Sequence, residues 1–142
     1  MRVMVFVTVT PASESGTLPD EKALAEMDNF KDELVKAGVL LAAEGLKPSA
    51  VGKRVKFQGA KRTVIDGPFT EAKELVAGFM LWQVKSMEEA VEWVRRSPSQ
   101  EGQVEIRPVF EAEDFAPLDP SGELRQREEE YKKADPSSPY RR

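Results

Sequence analysis

The sequence predicts an α+β domain in which one antiparallel sheet carries helices on a single face. Two segments, Val3–Val9 and Val76–Val84, are apolar on both of their alternating faces, as central strands are. Each is followed by a helical stripe with a start signal, Pro19-Asp20 before the first and Ser86-Met87-Glu88-Glu89 before the second. Between these two units lie two short alternating runs around Gly59-Ala60, the pattern of a hairpin.

Taken in order, Val3–Val9 presents Val3, Val5, Val7 and Val9 to one side and Met4, Phe6 and Thr8 to the other, and Thr10-Pro11 ends it. Residues 11–18 are rich in Ser, Thr, Gly and Pro and read as a loop. Leu24, Met27, Phe30, Leu34 and Val35 then recur at helical spacing up to Gly38, a C-terminal stop, over about 18 residues. Val39–Leu46 is the next strand, broken by Pro48 to Gly52. The hairpin runs from Lys53 to Ile65 and leads through a turn to Val76–Val84. Met87, Ala90, Val91 and Val94 mark the second helix, with Arg95 and Arg96 suited to its C-terminal end. Val104–Phe110 is the last strand, and Pro108, which has no N–H to donate, places it at an edge.

Without the hairpin the order is βαββαβ, the ferredoxin-like split unit. Right-handed crossovers put Val3–Val9 and Val76–Val84 side by side in mid-sheet, and these are the strands apolar on both faces. Helices cover one sheet face. The open face, bearing Met4 and Phe6, is expected to meet its counterpart in a two-fold homodimer.

Composition narrows the chemistry. The net charge of −4 and pI near 5.1 argue against a nucleic-acid protein. The chain has neither Cys nor His, which removes disulfides, thiolate and imidazole catalysis, and Cys/His zinc sites; no metal or cofactor is expected. No apolar run reaches the ~18 residues of a membrane span, and the β-branched N-terminus is not a signal peptide, so a cytoplasmic protein is expected. Residues 111–142 hold nine acids and six bases. The division is therefore a domain over residues 1–112 and an acidic C-terminal extension over 113–142. The extension is partly helical, over Ser121–Lys133, or disordered, over Asp135–Arg142.

The segment from Asp66 to Glu74, Asp-Gly-Pro-Phe-Thr-Glu-Ala-Lys-Glu, sets a rigid turn against dense charge. Asp66, Phe69, Glu71, Lys73 and Glu74 are candidates for a ligand pocket, joined by Arg107 from the last strand. If Thr70–Leu75 is extended, Glu71 and Lys73 share a face. One of the carboxylates would then serve as a general base and Lys73 or Arg107 would hold an anionic group. The competing reading is structural, with Asp66 capping the turn and Glu71 and Lys73 forming a solvated ion pair. The five bases Lys53, Arg54, Lys56, Lys61 and Arg62 fit an edge protected against aggregation better than a nucleic-acid surface.

The stretch resembles the DGPF-motif group of the YCII-related (YciI-like) family. The likeness rests on Asp66-Gly67-Pro68-Phe69 with Glu71, Lys73 and Glu74, on Ala37-Gly38-Val39-Leu40, on Gly45-Leu46-Lys47-Pro48-Ser49, on Gly78-Phe79, on Glu89-Ala90 with Glu92-Trp93, and on Glu105-Ile106-Arg107-Pro108-Val109. It covers roughly residues 1–112. It implies a ferredoxin-like, dimeric α/β-barrel fold and says little about chemistry. The His–Asp dyad of the wider family has no counterpart here, because the chain has no His. The expected role is binding, with conversion left open, of a small organic anion near the DGPF segment. The alternative is a regulatory or protein-interaction module without chemistry, linked to transcription.

Overall fold

Six strands and four helices form over residues 1–71 and 74–134, which the computed structural model describes. In chain order they are β1 (Arg2–Thr8), α1 (Pro11–Glu14), α2 (Glu21–Lys36), β2 (Leu40–Gly45), β3 (Lys53–Gln58), β4 (Lys61–Asp66), β5 (Val76–Gln83), α3 (Met87–Arg95), β6 (Val104–Pro108) and α4 (Glu123–Ala134). Four strands pair in the order β2-β5-β1-β6, every ladder antiparallel. This arrangement is compatible with a ferredoxin-like α+β fold. The doubly apolar strands β1 and β5 are central, and β6 with its Pro108 is an edge. β3 and β4 pair only with each other, as a separate two-stranded sheet.

The core lies between the sheet and the helices. Val3 and Val5 of β1 and Met80 and Trp82 of β5 pack with Phe30 and Leu34 of α2 and Ala90 of α3. Trp82, Leu34 and Val3 are essentially inaccessible to solvent, and burying each side chain contributes about 1.5–3 kcal/mol. The stripe on α2 is narrower than its sequence pattern. Leu24 and Val35 remain about half exposed, since Val35 stands 100° around the helix from the buried Leu34.

The helix ends follow their sequence signals. Asp20 Oδ1 accepts from Ala23 N–H at 2.8 Å. After α2, Val39 N–H reaches Leu34 C=O at 2.9 Å and Gly38 N–H reaches Val35 C=O at 3.0 Å, a Schellman stop. Ser86 Oγ accepts from Glu89 N–H at 3.1 Å, but Glu89 Oε2 accepts from Lys85 N–H at 2.6 Å, one residue before the usual partner.

The expected loop over residues 11–18 contains α1. Thr10 and Ser13 form a capping box, Pro11 opens the turn, and Gly16, at φ 86°, closes it. Thr17 N–H bonds Ala12 C=O at 3.0 Å. With no apolar stripe this single turn escapes the periodicity test; its caps are its sequence signal.

Opposite the helices, two rows of side chains cross the sheet. Ala42, Leu81, Met4 and Arg107 form one, and Glu44, Phe79, Phe6 and Glu105 the other. The centre of this open face is apolar and its edges are charged. Ile106 packs on the core, so Arg107 belongs to the open face, as its alternation with Ile106 requires.

Beyond β6 a 3-10 stretch spans Ala112–Leu118 and leads into α4. Arg2 clasps Glu111 with both carboxylate oxygens, Nε to Oε1 at 3.0 Å and Nη2 to Oε2 at 2.9 Å. Those hydrogen bonds hold the Glu111 carboxyl below its ordinary range against the opposing effect of burial. Burial also pushes the Asp119 carboxyl up. Hydrogen bonds from the backbone and side chain of Arg125 and the backbone of Leu124 outweigh it, and the net direction is down. The expected disorder of Asp135–Arg142 lies outside the described residues. Among the described residues no helix is long and apolar enough to cross a membrane.

Candidate functional site

The Asp66–Phe69 turn is pressed onto the 3-10 turn Ser49–Val51. Gly67 N–H donates to Gly52 C=O at 3.1 Å. A Cβ added to Gly67 would lie 1.7 Å from the Ser49 carbonyl oxygen, so only glycine fits. The Gly67–Pro68 peptide bond is cis. One residue on, Phe69 N–H donates to Ser49 Oγ at 3.0 Å.

Ser49 passes the connection to α1. Its N–H donates to Glu14 Oε1 at 2.5 Å. The other oxygen of this carboxylate, Oε2, is buried and has no hydrogen-bond partner among the described residues. Three segments far apart in sequence are thus fastened at one place, at the C-terminal end of β1 where Val9 N–H bonds Leu75 C=O at 3.0 Å.

They enclose a cavity of about 440 Å³ whose wall includes Glu14, Lys47, Ser49, Val51, Phe69 and Leu75. Glu14 also borders a shallower cleft of about 820 Å³ with Thr8, Thr10 and Gln103. The cavity wall is largely aliphatic and aromatic, with few polar groups, the usual make-up of a small-molecule site. Two cations stand near it. The Arg54 guanidinium carbon lies 4.0 Å from the centre of the Phe69 ring, and Arg54 Nη1 is 3.6 Å from Glu71 Oε2. Lys47 is exposed and makes no ion pair among the described residues.

The structure separates the residues singled out in the sequence. Phe69 lines the cavity. Glu71 reaches it only through Arg54, and Asp66 turns across the hairpin to Lys53 Nζ at 2.5 Å. Glu74 N–H bonds Glu71 C=O at 2.9 Å, a spacing of turns rather than strands. Lys73 lies outside the described residues. Arg107 stands on β6 in register with Met4 and is not part of the cavity wall. Glu14 and the latch role of Ser49 were not singled out from the sequence, and Arg54 was read there only as one of the five hairpin bases. Ser49 falls in the Gly45–Ser49 segment of the resemblance, while Glu14 shows only the cap signals of α1. No group of three or more acidic residues suited to a metal ion occurs among the described residues.

Comparison with known proteins agrees with this frame. The family model for the YCII-related domain matches residues 1–113. The uncharacterized protein R00369 of Rhizobium meliloti (strain 1021) is 31% identical over 94 residues, which is 63% of this chain and 75% of that protein.

Proposed function

The chain belongs to the YCII-related family, and from that premise we propose that it binds a small organic anion in the cavity walled by Phe69. The observation that carries this reading is the latch of the Gly67–Phe69 turn on Ser49, which spends two backbone donors and a sterically obligatory glycine on forming one wall of a mostly apolar cavity. An acid entering with its apolar body against Phe69, Val51 and Leu75 finds Lys47 and Arg54 for its carboxylate. Arg54 is held by Glu71 only loosely. At 3.6 Å and about half exposure on both sides, that pair is worth under ~1 kcal/mol. A ligand carboxylate displaces it at little cost and gains a planar, bidentate partner.

A thermal-shift titration with benzoate, 3-hydroxybenzoate and 4-hydroxybenzoate tests the reading. Wild type is expected to be stabilised, the Lys47→Gln/Arg54→Gln double variant much less so, and Glu71→Ala more so, because the competing carboxylate is gone. Equal shifts in wild type and the double variant would sink it, as would no shift in wild type at 10 mM-scale ligand, on the order of the weakest useful affinity.

The open sheet face supports a homodimer. The half-buried Met4, Phe6 and Phe79 make its centre beside the buried Leu81, and Glu44, Glu105 and Arg107 its charged edges, the pattern of an interface core with a polar rim. In this reading Arg107 pairs across the two-fold axis. Sedimentation at micromolar concentration is expected to show a dimer, and Phe6→Glu a monomer.

A further inference from the structure

The hairpin β3–β4 carries an apolar stripe that no described residue of its own chain covers. Val55 stands opposite Val64 and Phe57 opposite Arg62, on one face. Val55 is 49%, Phe57 68% and Val64 61% exposed. A two-stranded sheet without a packed face is marginal in water, so this stripe requires a cover. Its tip is a knob in which the Arg62 guanidinium sits 4.7 Å from the centre of the Phe57 ring.

The C-terminal segment holds the complementary shape. Phe110, Phe115, Leu118 and Leu124 line a cleft of about 370 Å³, with the Phe110 and Phe115 rings 5.2 Å apart. These side chains are themselves exposed, Phe110 at 73% and Leu118 at 81%. At the rim stands Glu128, which makes no ion pair among the described residues. The two segments are opposite in overall charge, although Arg125 and Lys132 also border the cleft. The hairpin holds five bases and one acid over residues 53–66, while residues 111–134 hold eight acids and four bases.

We infer that the Phe57–Arg62 knob of one copy of this chain docks in the Phe110–Phe115–Leu118 cleft of a second copy, with Arg62 meeting Glu128 at the rim. The exchange is reciprocal about a two-fold axis, so each copy gives a hairpin and receives one, and the assembly closes rather than growing into a chain. The inference rests on the dimer reading above and adds a second contact outside the sheet face. Burial of an aromatic under an Arg at the centre of a pocket is the make-up of an interface hot spot. The ion pair adds orientation and salt sensitivity.

Absence of cysteine makes the test direct. Full-length Phe57→Cys and Leu118→Cys are mixed and oxidised mildly. A cross-linked heterodimer is expected for this mixture and not for Phe57→Cys with Leu18→Cys, a control at an equally exposed leucine. In sedimentation, Phe57→Ser is expected to weaken dimerisation about 30-fold per docked hairpin. Because Phe57 is exposed, its loss leaves the fold of the single chain intact, which circular dichroism checks. Arg62→Glu is expected to weaken the dimer, and Arg62→Glu combined with Glu128→Lys to restore it. A dimer of unchanged affinity in Phe57→Ser, without specific cross-linking, overturns the docked hairpin and leaves the sheet-face dimer standing. A monomeric wild type overturns both.

Discussion

Replacing Gly67 by Ala tests the central claim that the Asp66–Phe69 turn is a latch. The new Cβ would lie 1.7 Å from the Ser49 carbonyl oxygen and 2.7 Å from its carbon, both backbone atoms that no rotamer change can move. The turn and Ser49 must separate by more than an ångström. At risk are Gly67 N–H to Gly52 C=O at 3.1 Å, Phe69 N–H to Ser49 Oγ at 3.0 Å and Ser49 N–H to the Glu14 carboxylate at 2.5 Å. Two neutral bonds are worth about 1 kcal/mol each and a bond to a charged acceptor about 1.5–3, so full loss costs about 3–5 kcal/mol. Against a typical total of about 5–15 kcal/mol this is a large fraction, and it corresponds to a melting point lower by about 10 °C. Urea unfolding with an unchanged m-value is the assay. Gly45→Ala is the control, since a Cβ there meets nothing within 4 Å, and it is expected to change stability by less than about 0.5 kcal/mol. A Gly67→Ala cost no greater than that of Gly45→Ala would refute the latch.

Two further outcomes follow from the core and the C-terminal segment. The Glu111 carboxyl is held below its ordinary value of 4.5 by Arg2, so its contribution is present above that value and lost as pH falls through the lower folded one. Glu111→Gln is therefore expected to cost about 1 kcal/mol at pH 7, a modest figure because the carboxylate is partly exposed, with the gap to wild type closing in urea melts below about pH 4. Leu34→Ala, at a fully buried site between α2 and the sheet, is expected to cost about 3–5 kcal/mol by chemical denaturation. A loss under about 1 kcal/mol would mean that α2 is not seated on β1 and β5 as described.

The sheet was legible because its signals are local and redundant. β1 and β5 are apolar on both faces, Pro108 marks an edge, and Asp20, Gly38 and Ser86 punctuate the helices. Helix α1 was not, since one turn has no periodicity to detect and its evidence is confined to Thr10, Ser13 and Gly16. The site was half legible. Residue types around Gly67 and Phe69 announce a special turn, but what that turn rests on is a matter of tertiary approach. Ser49 and Glu14 lie 18 and more residues from it in sequence, and a hydrogen bond between a serine N–H and a distant glutamate leaves no spacing to read. Arg107 alternates with Ile106, which packs on the core, and its register with Met4 puts it on the open face.

The two halves of the motif do different work. Gly67 and Phe69 face inward. Gly67 gives the close approach to Ser49, and Phe69 gives both a backbone donor and a ring in the cavity wall. Asp66 and Glu71 face the hairpin. Asp66 takes Lys53, and Glu71 takes Arg54, so two of the five hairpin bases are neutralised where β3 starts. Arg54 also lies over the Phe69 ring, its guanidinium carbon 4.0 Å from the ring centre. Among the described residues Lys56, Lys61 and Arg62 make no ion pair toward the tip, where the exposed Phe57 stands. Exposed apolar and basic side chains therefore stand together on the outer part of the hairpin. The Arg54–Glu71 pair, exposed and at 3.6 Å, is worth under ~1 kcal/mol, so taking Arg54 from Glu71 leaves the β3–β4 ladder itself untouched.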